Sequence, residues 1–187
     1  MRWIVSWVLV SALGCAFVAP ARAERDEKAQ ESLLIGYDLL AQYLDAEAHL
    51  RYLSWLRELT LQGTAKEIER IMTEIYEGSS QRSDELEKLR TLSPRATAKP
   101  PPSPIGSAIQ SAAQWDGTKD LLFPDGRFGM RFVVLQAQGT RMLAVIAQET
   151  AKIDPNDERK KWLEAVARQF NGLREQLLKA VEGCEPR

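Results

Sequence analysis

The chain has 187 residues, with 25 basic and 26 acidic side chains, one histidine and two cysteines. A net charge of −1 with no Lys/Arg cluster excludes a phosphate-backbone binder, so nucleic acid is not an expected partner. The chain has no glycine-rich phosphate loop and no Cys-x-x-Cys, and a single histidine leaves little for metal or triad chemistry.

Residues 1–23 read as a signal peptide. Arg2 supplies the positive start, Trp3 to Val18 is almost wholly apolar, and Ala21-Arg22-Ala23 has the small-x-small form of a cleavage site. The run is short for a membrane span, which needs about 20 residues, so no transmembrane segment is expected in the mature chain. Localisation is therefore periplasmic or secreted, with a lipoprotein anchored through Cys15 as the alternative, since Ala12-Leu13-Gly14-Cys15 resembles a lipobox. Arg2 and Arg22 leave with the leader, so 25 basic residues become 23 against 26 acidic, a charge near −3. The remaining 24–187 suffices for a single domain with one core.

A helical hairpin is expected over 33–92. Leu33, Tyr37, Leu40, Leu44, Ala48, Trp55 and Leu59 recur every three or four residues, and so do Ile68, Ile71, Met72, Ile75, Leu86 and Leu89. Between them Gln62-Gly63-Thr64 combines a helix-ending glycine with a capping-box start, Thr64 and Glu67. The second helix ends before Pro94. A Pro-rich crossover follows over 93–127, marked by Lys99-Pro100-Pro101-Pro102-Ser103-Pro104 and by the turn signals Asp116-Gly117 and Pro124-Asp125-Gly126.

A second hairpin is expected over 128–184. Phe128, Phe132, Leu135, Gly139, Met142, Ile146 and Ile153 hold helical phase, which favours helix over a β-hairpin turning at Gln138-Gly139-Thr140. Asp154-Pro155-Asn156-Asp157 reads as a helix start with Asp154 as the capping carboxylate and proline in the first turn. Trp162, Leu163, Val166, Phe170, Leu173, Leu177 and Val181 then form one stripe. Four long segments, tightly paired and joined by one long crossover, predict an all-α four-helix bundle with ferritin-like connectivity. The alternative is α+β, if 128–153 is a β-hairpin.

The candidate site is a polar level in the bundle interior. Arg51 falls on the first stripe with Glu47 at its edge one turn earlier, and Arg82 falls centrally on the second stripe beside Ser79. Local pairing, Glu47 with Arg51 and Arg82 with a neighbouring acid, is the simpler reading, because buried arginines find partners. The sharper one is a small anion-binding cavity. His49 shares a face with Asp38, Gln42 and Asp45, away from the core, which reads as a solvated side chain held by Asp45. No metal or other cofactor is expected. Cys184 follows the phase of Val166, Leu173 and Leu177, which favours burial as a small apolar group; a dimer through Cys184 is the alternative.

These segments resemble a group of secreted bacterial ferritin-like helical proteins of unknown function, often labelled predicted outer membrane proteins. The likeness lies over Glu67 to Leu86, ending Ser83-Asp84-Glu85-Leu86, and over Phe128 to Val181, including Phe132-Val133 and Leu173-x-x-x-Leu177. Members carry histidines inside these helices, where this chain has Ser79, residues near Gln138, and Arg174. The resemblance therefore implies a non-metal member. The expected function is a non-enzymatic binding or envelope-associated module whose partner is a protein or a small anionic ligand. The alternative is a ferritin-like metal-binding protein or enzyme using carboxylates.

Overall fold

The computed structural model describes residues 18–50, 66–99 and 128–182. They form four helices: α1 (Val18–Leu50), α2 (Lys66–Leu89), α3 (Phe128–Ile153) and α4 (Asp157–Glu182). Among the described residues there is no strand, so the fold is all-α and the β-hairpin alternative over 128–153 is excluded. The helix passes through Gly139 because Thr140 turns its hydroxyl back onto the carbonyls of Gln136 (2.9 Å) and Ala137 (3.1 Å) and so stays within the helical ladder. The turn expected at Gln62-Gly63-Thr64, with Trp55 and Leu59, lies outside the described residues.

α1 packs against α2 and α3, and α4 packs against α3 and α2. Tyr37 of α1 reaches Asp154 just beyond α3, while Arg159 of α4 reaches Leu92 and Pro94 just beyond α2. These contacts fix the directions. The start of α4 and the ends of α2 and α3 share one end of the bundle with Tyr37, so the connection from α2 to α3 joins opposite ends.

Most described positions of the first two stripes are buried, with Ala48 and Leu89 half-buried. Leu33, Tyr37, Leu40 and Leu44 are buried, as are Ile68, Ile71, Met72, Ile75 and Leu86, and α4 adds Leu163, Val166, Phe170, Leu173 and Leu177. α3 differs. Its core face is Phe132, Val133, Ala137, Leu143, Ala144, Ala147 and Ala151, whereas Met142 and Ile153 of the expected stripe are exposed. The helix is apolar on two faces, and close packing selected the one with the smaller side chains.

That closeness is visible in two glycines. A Cβ on Gly36 would overlap Thr150 Oγ1 and lie 3.1 Å from its Cγ2; a Cβ on Gly139 would overlap Glu47 Oε1 and lie 3.4 Å from its Cδ. The two contacts are eleven residues apart on both helices, about three turns, so α1 and α3 run antiparallel in a fixed register. At Gly36 the obstacle is a whole β-branched side chain, whereas at Gly139 it is the end of the Glu47 side chain, which a larger residue would displace.

The end of the bundle is closed by a buried ion pair. Asp154 and Arg159 are fully buried and joined at 2.8 Å (Oδ1 to Nη2) and 2.9 Å (Oδ2 to Nε). Tyr37 donates its hydroxyl to Asp154 at 2.5 Å and lies under the guanidinium, 5.6 Å from ring centre. Arg159 spends its remaining donors on the carbonyls of Leu92 (2.9 Å) and Pro94. The expected cap is corrected here. Asp154 accepts the Asn156 backbone N–H at 2.8 Å and serves the ion pair, while Asn156 caps α4 by accepting the Arg159 N–H at 3.0 Å. Pro155 accordingly precedes the cap and does not sit inside the first turn. The segment after α2 is tied again by Arg90, which donates to Ala96 O at 2.8 Å while the Ala96 N–H returns to Arg90 O at 2.9 Å.

Burial alone would raise the Asp154 carboxyl; Arg159, Tyr37 and the Asn156 N–H outweigh it and hold it below its ordinary value of 3.8. Stability from this group is complete above that value and is lost as pH falls through the lower, folded one. Arg159→Leu leaves a buried carboxylate unpaired and is expected to cost about 3–5 kcal/mol; Tyr37→Phe, which removes one bond to a charged acceptor, about 1.5–3 kcal/mol. Urea unfolding at pH 7 reads both. Gly36→Ala is expected to destabilise by about 1–3 kcal/mol despite alanine's better helix propensity, because Thr150 is β-branched and held by the Ile146 carbonyl at 2.7 Å. In the Gly36→Ala/Thr150→Ala double variant most of that loss should disappear.

Candidate functional site

The interior polar level is centred on Glu47, which is 7% exposed. It lies one turn beyond the Leu40–Leu44 stripe, pressed into the Gly139 notch of α3, with the Gln136 side chain hydrogen-bonded to its carboxyl. Glu47 Oε2, Gln136 Oε1 and the Ser79 hydroxyl are all buried without a hydrogen-bond partner. Ser79 belongs to the same level. It lies ten residues before the end of α2, as Glu47 lies ten after Tyr37, so each is about 15 Å from the ion-pair end at 1.5 Å per residue.

Burial pushes the Glu47 carboxyl up to about 8, against the smaller opposing effect of Gln136. At neutral pH it is mainly protonated, a neutral acid beside an amide. Such a group donates and accepts hydrogen bonds but carries no charge for a cation.

Arg82 has a different setting. It is 20% exposed on its side chain, pairs with Glu85 at 2.7 Å, donates to Gln169 of α4 at 2.8 Å and lies 6.0 Å over the Trp162 ring. Trp162 in turn donates to Glu85 at 2.7 Å, so the four side chains lace α2 to α4. The neighbouring acid of the simpler reading is thus Glu85. Glu85 is held below its usual range: burial opposes this, and Trp162, Gln81 and Arg82 prevail. Arg51 lies outside the described residues, as does Cys184. His49 is exposed, with Nδ1 at 2.8 Å from Asp45 O and 3.3 Å from its Oδ1, and Gln42 donates to Asp38 at 2.7 Å.

A shallow recess of about 510 Å³ lies between α2 and α4, lined by Glu74, Glu77, Gln81, Arg168 and Gln169 over the glycines Gly78 and Gly172. It carries charge and amides but no group of acid–base type in a protected setting. Among the described residues no group of three or more His, Cys, Asp or Glu is placed to hold a metal ion, and no helix is long and apolar enough to cross a membrane.

Sequence reasoning missed Gln136, Gly139 and Thr140 as the surroundings of Glu47. Gln136, Thr140, Leu143 and Ala147 have the 4-3-4 spacing of an inward face, which was the available signal. No family model matches the chain, no curated protein matches it in sequence, and no solved structure matches it in fold.

The folded state holds the Glu47 proton well above the ordinary glutamate value of 4.5, so stability from this group is complete below that value and is lost as pH rises through about 8. Across this window wild-type stability is expected to fall by on the order of 2–4 kcal/mol, while Glu47→Gln should show a flat profile. Thermal unfolding from pH 5 to pH 9 compares the two.

Proposed function

We propose that the chain is a non-enzymatic helical-bundle module of the cell envelope, exported by residues 1–23 and acting by binding. The observation that carries this reading is the composition of the interior polar level. Among the described residues its one acid, Glu47, stands with an amide and a hydroxyl, where a ferritin-like di-metal site needs a glutamate from each of two helices and Glu-x-x-His from each of the others. The other buried acid, Asp154, is fully engaged by Arg159 and Tyr37. The carboxylate-based metal carrier therefore lacks a donor set among the described residues.

Export is supported by Arg2, the apolar run Trp3 to Val18 and the Ala21-Arg22-Ala23 site. Past that site Glu27, Lys28 and Ala29 are exposed, and Leu33 is the first buried residue described. Connectivity supports the ferritin-like reading, since one long connection joins opposite ends of two antiparallel pairs. With Ser79 and Arg174 where similar bundles carry histidines, the chain would be a non-metal form of that architecture.

Two measurements test this. Elemental analysis of protein purified from an exporting host is expected to find iron, zinc and manganese far below one per chain; a stoichiometric metal overturns the non-metal reading. Intact mass should correspond to a chain beginning at Glu24. A mass retaining residues 1–23 refutes export by cleavage, and a lipid increment on Cys15 replaces it with membrane anchoring.

A further inference from the structure

The two glycines under the α2–α4 recess are there for different reasons. A Cβ on Gly78 would lie 2.7 Å from Gln169 Nε2, so this glycine makes room for a side chain already in place. A Cβ on Gly172 would meet nothing within 4 Å among the described residues. Glycine inside a helix is less stable than alanine, and no described neighbour of Gly172 requires it. Its effect is to lay the α4 backbone open, half-buried, at the floor of the recess, where a ligand can lie directly against it.

The walls of the recess are unlike one another. It runs about two turns along each helix, from Glu74 to Gln81 and from Gln169 to Gln176, a length of roughly 10 Å. Arg70 donates to Gln176 Oε1 at 3.3 Å near one end, and Arg82 donates to Gln169 Oε1 at 2.8 Å near the other. Both bonds occupy an amide oxygen and leave the amide NH2. Arg168, 3.9 Å from Glu164 and well exposed, adds a third donor to the α4 side. On α2 the amide is turned the other way. Gln81 donates its NH2 to Glu85 at 2.9 Å, which leaves the carbonyl oxygen, and Glu74 and Glu77 add carboxylates. α4 therefore offers donors and α2 offers acceptors.

That separation selects among ligands. An anion calls for donors on both walls, and a cation for acceptors on both. An extended peptide alternates N–H and C=O along each edge, so it needs both kinds on each wall. A hydroxyl donates and accepts at once, and linked sugar rings carry hydroxyls along both edges. We propose that the recess between α2 and α4 binds a short neutral oligosaccharide. Its hydroxyls donate to Gln81 and Glu77 and accept from Gln169 and Gln176, with one ring against the backbone at Gly172. This names the ligand class for the binding role proposed above and rests on that reading. The volume of about 510 Å³ lies within the range of small-molecule sites. No aromatic side chain lines the recess among the described residues, so the ring gains no stacking and binding is weak.

An NMR amide-shift titration of the full chain with maltotriose, cellotriose and triacetylchitotriose reads this directly. At least one is expected to saturate, with a Kd of about 0.1–10 mM, and to shift the amides of Gly78 and Gly172. Gly172→Ala is expected to raise Tm by about 2–4 °C and to weaken that binding about tenfold or more, because the methyl group takes the floor. A substitution that strengthens the fold while removing binding separates a ligand site from a packing feature. The proposal is overturned if none of the three sugars saturates, if Gly172→Ala binds like the wild type, or if it lowers Tm. It is overturned equally if the same amides respond as strongly to free glycine or to sodium phosphate, which would make the recess a site for zwitterions or anions. Failure here leaves the metal content and the intact mass as they were, so it is distinguishable from failure of the exported, non-metal reading.

Discussion

Burying Arg159 removes the hydration of a full positive charge, and the fold compensates only if Asp154, Tyr37 and the carbonyls of Leu92 and Pro94 converge on it. These partners come from α1, from the α3–α4 junction and from the segment leaving α2. No two-helix fragment satisfies the guanidinium, so the ion pair ties the correct arrangement of all four helices to a single point. The net stability of such a pair against an apolar replacement is small by general experience, and its stronger effect is on register. With Tyr37 level with Asp154, α1 and α3 can slide only by breaking a bond to a buried charge. The Gly36–Thr150 crossing then lies beside Tyr37, and the Glu47–Gly139 crossing about three turns beyond it.

The two ends of that seam are built in opposite ways. At the ion-pair end every polar group on Asp154 and Arg159 is answered, and the carboxyl is kept ionised. Three turns beyond Gly36 and Thr150, Glu47 meets a glycine backbone and one amide, and burial makes it neutral. Gln136, Ser79 and Glu47 each keep an unanswered polar atom there. A buried polar group without a partner costs roughly 1–3 kcal/mol, so this level weakens the described core. The same sequence therefore anchors α1 firmly near Tyr37 and loosely near Glu47, and it is the loose half that leads toward residues 51–65.

Much of the architecture was legible because three of the four stripes have a single apolar face. Leu33 to Leu44, Ile68 to Leu86 and Leu163 to Leu177 leave one choice of core, and periodicity finds it. Glu47 and Ser79 were found at one remove, as the neighbours of Arg51 and Arg82, the two residues read as standing on the stripes. What pattern could not supply was the identity of partners. Arg82 sits in phase with its stripe, yet Gln169, Glu85 and Trp162 draw its long side chain to the α2–α4 edge. Arg159 shares the 4-3-4 phase of Leu163, Val166 and Phe170, but its role depends on Tyr37, 122 residues earlier. A pairing over that distance is set by the closed fold, and local spacing contains no trace of it. The cap at Asn156 was misread for a related reason: Asp154 has the better capping chemistry in isolation, and the buried arginine claims it.

α3 shows how packing distance decides between two equally apolar faces. On periodicity, Met142 and Ile153 were as eligible for the core as Ala144 and Ala151, and their greater area would favour burying them. The crossings at Gly36 and Gly139 set the spacing, however, and at that spacing a methionine or isoleucine in the seam would overpack. Alanines fill the gap between close helices, and Leu143 alone supplies bulk at the centre of the helix. The larger side chains are consequently displaced to the outside. Their exposure is thus a consequence of how tightly α1 approaches α3.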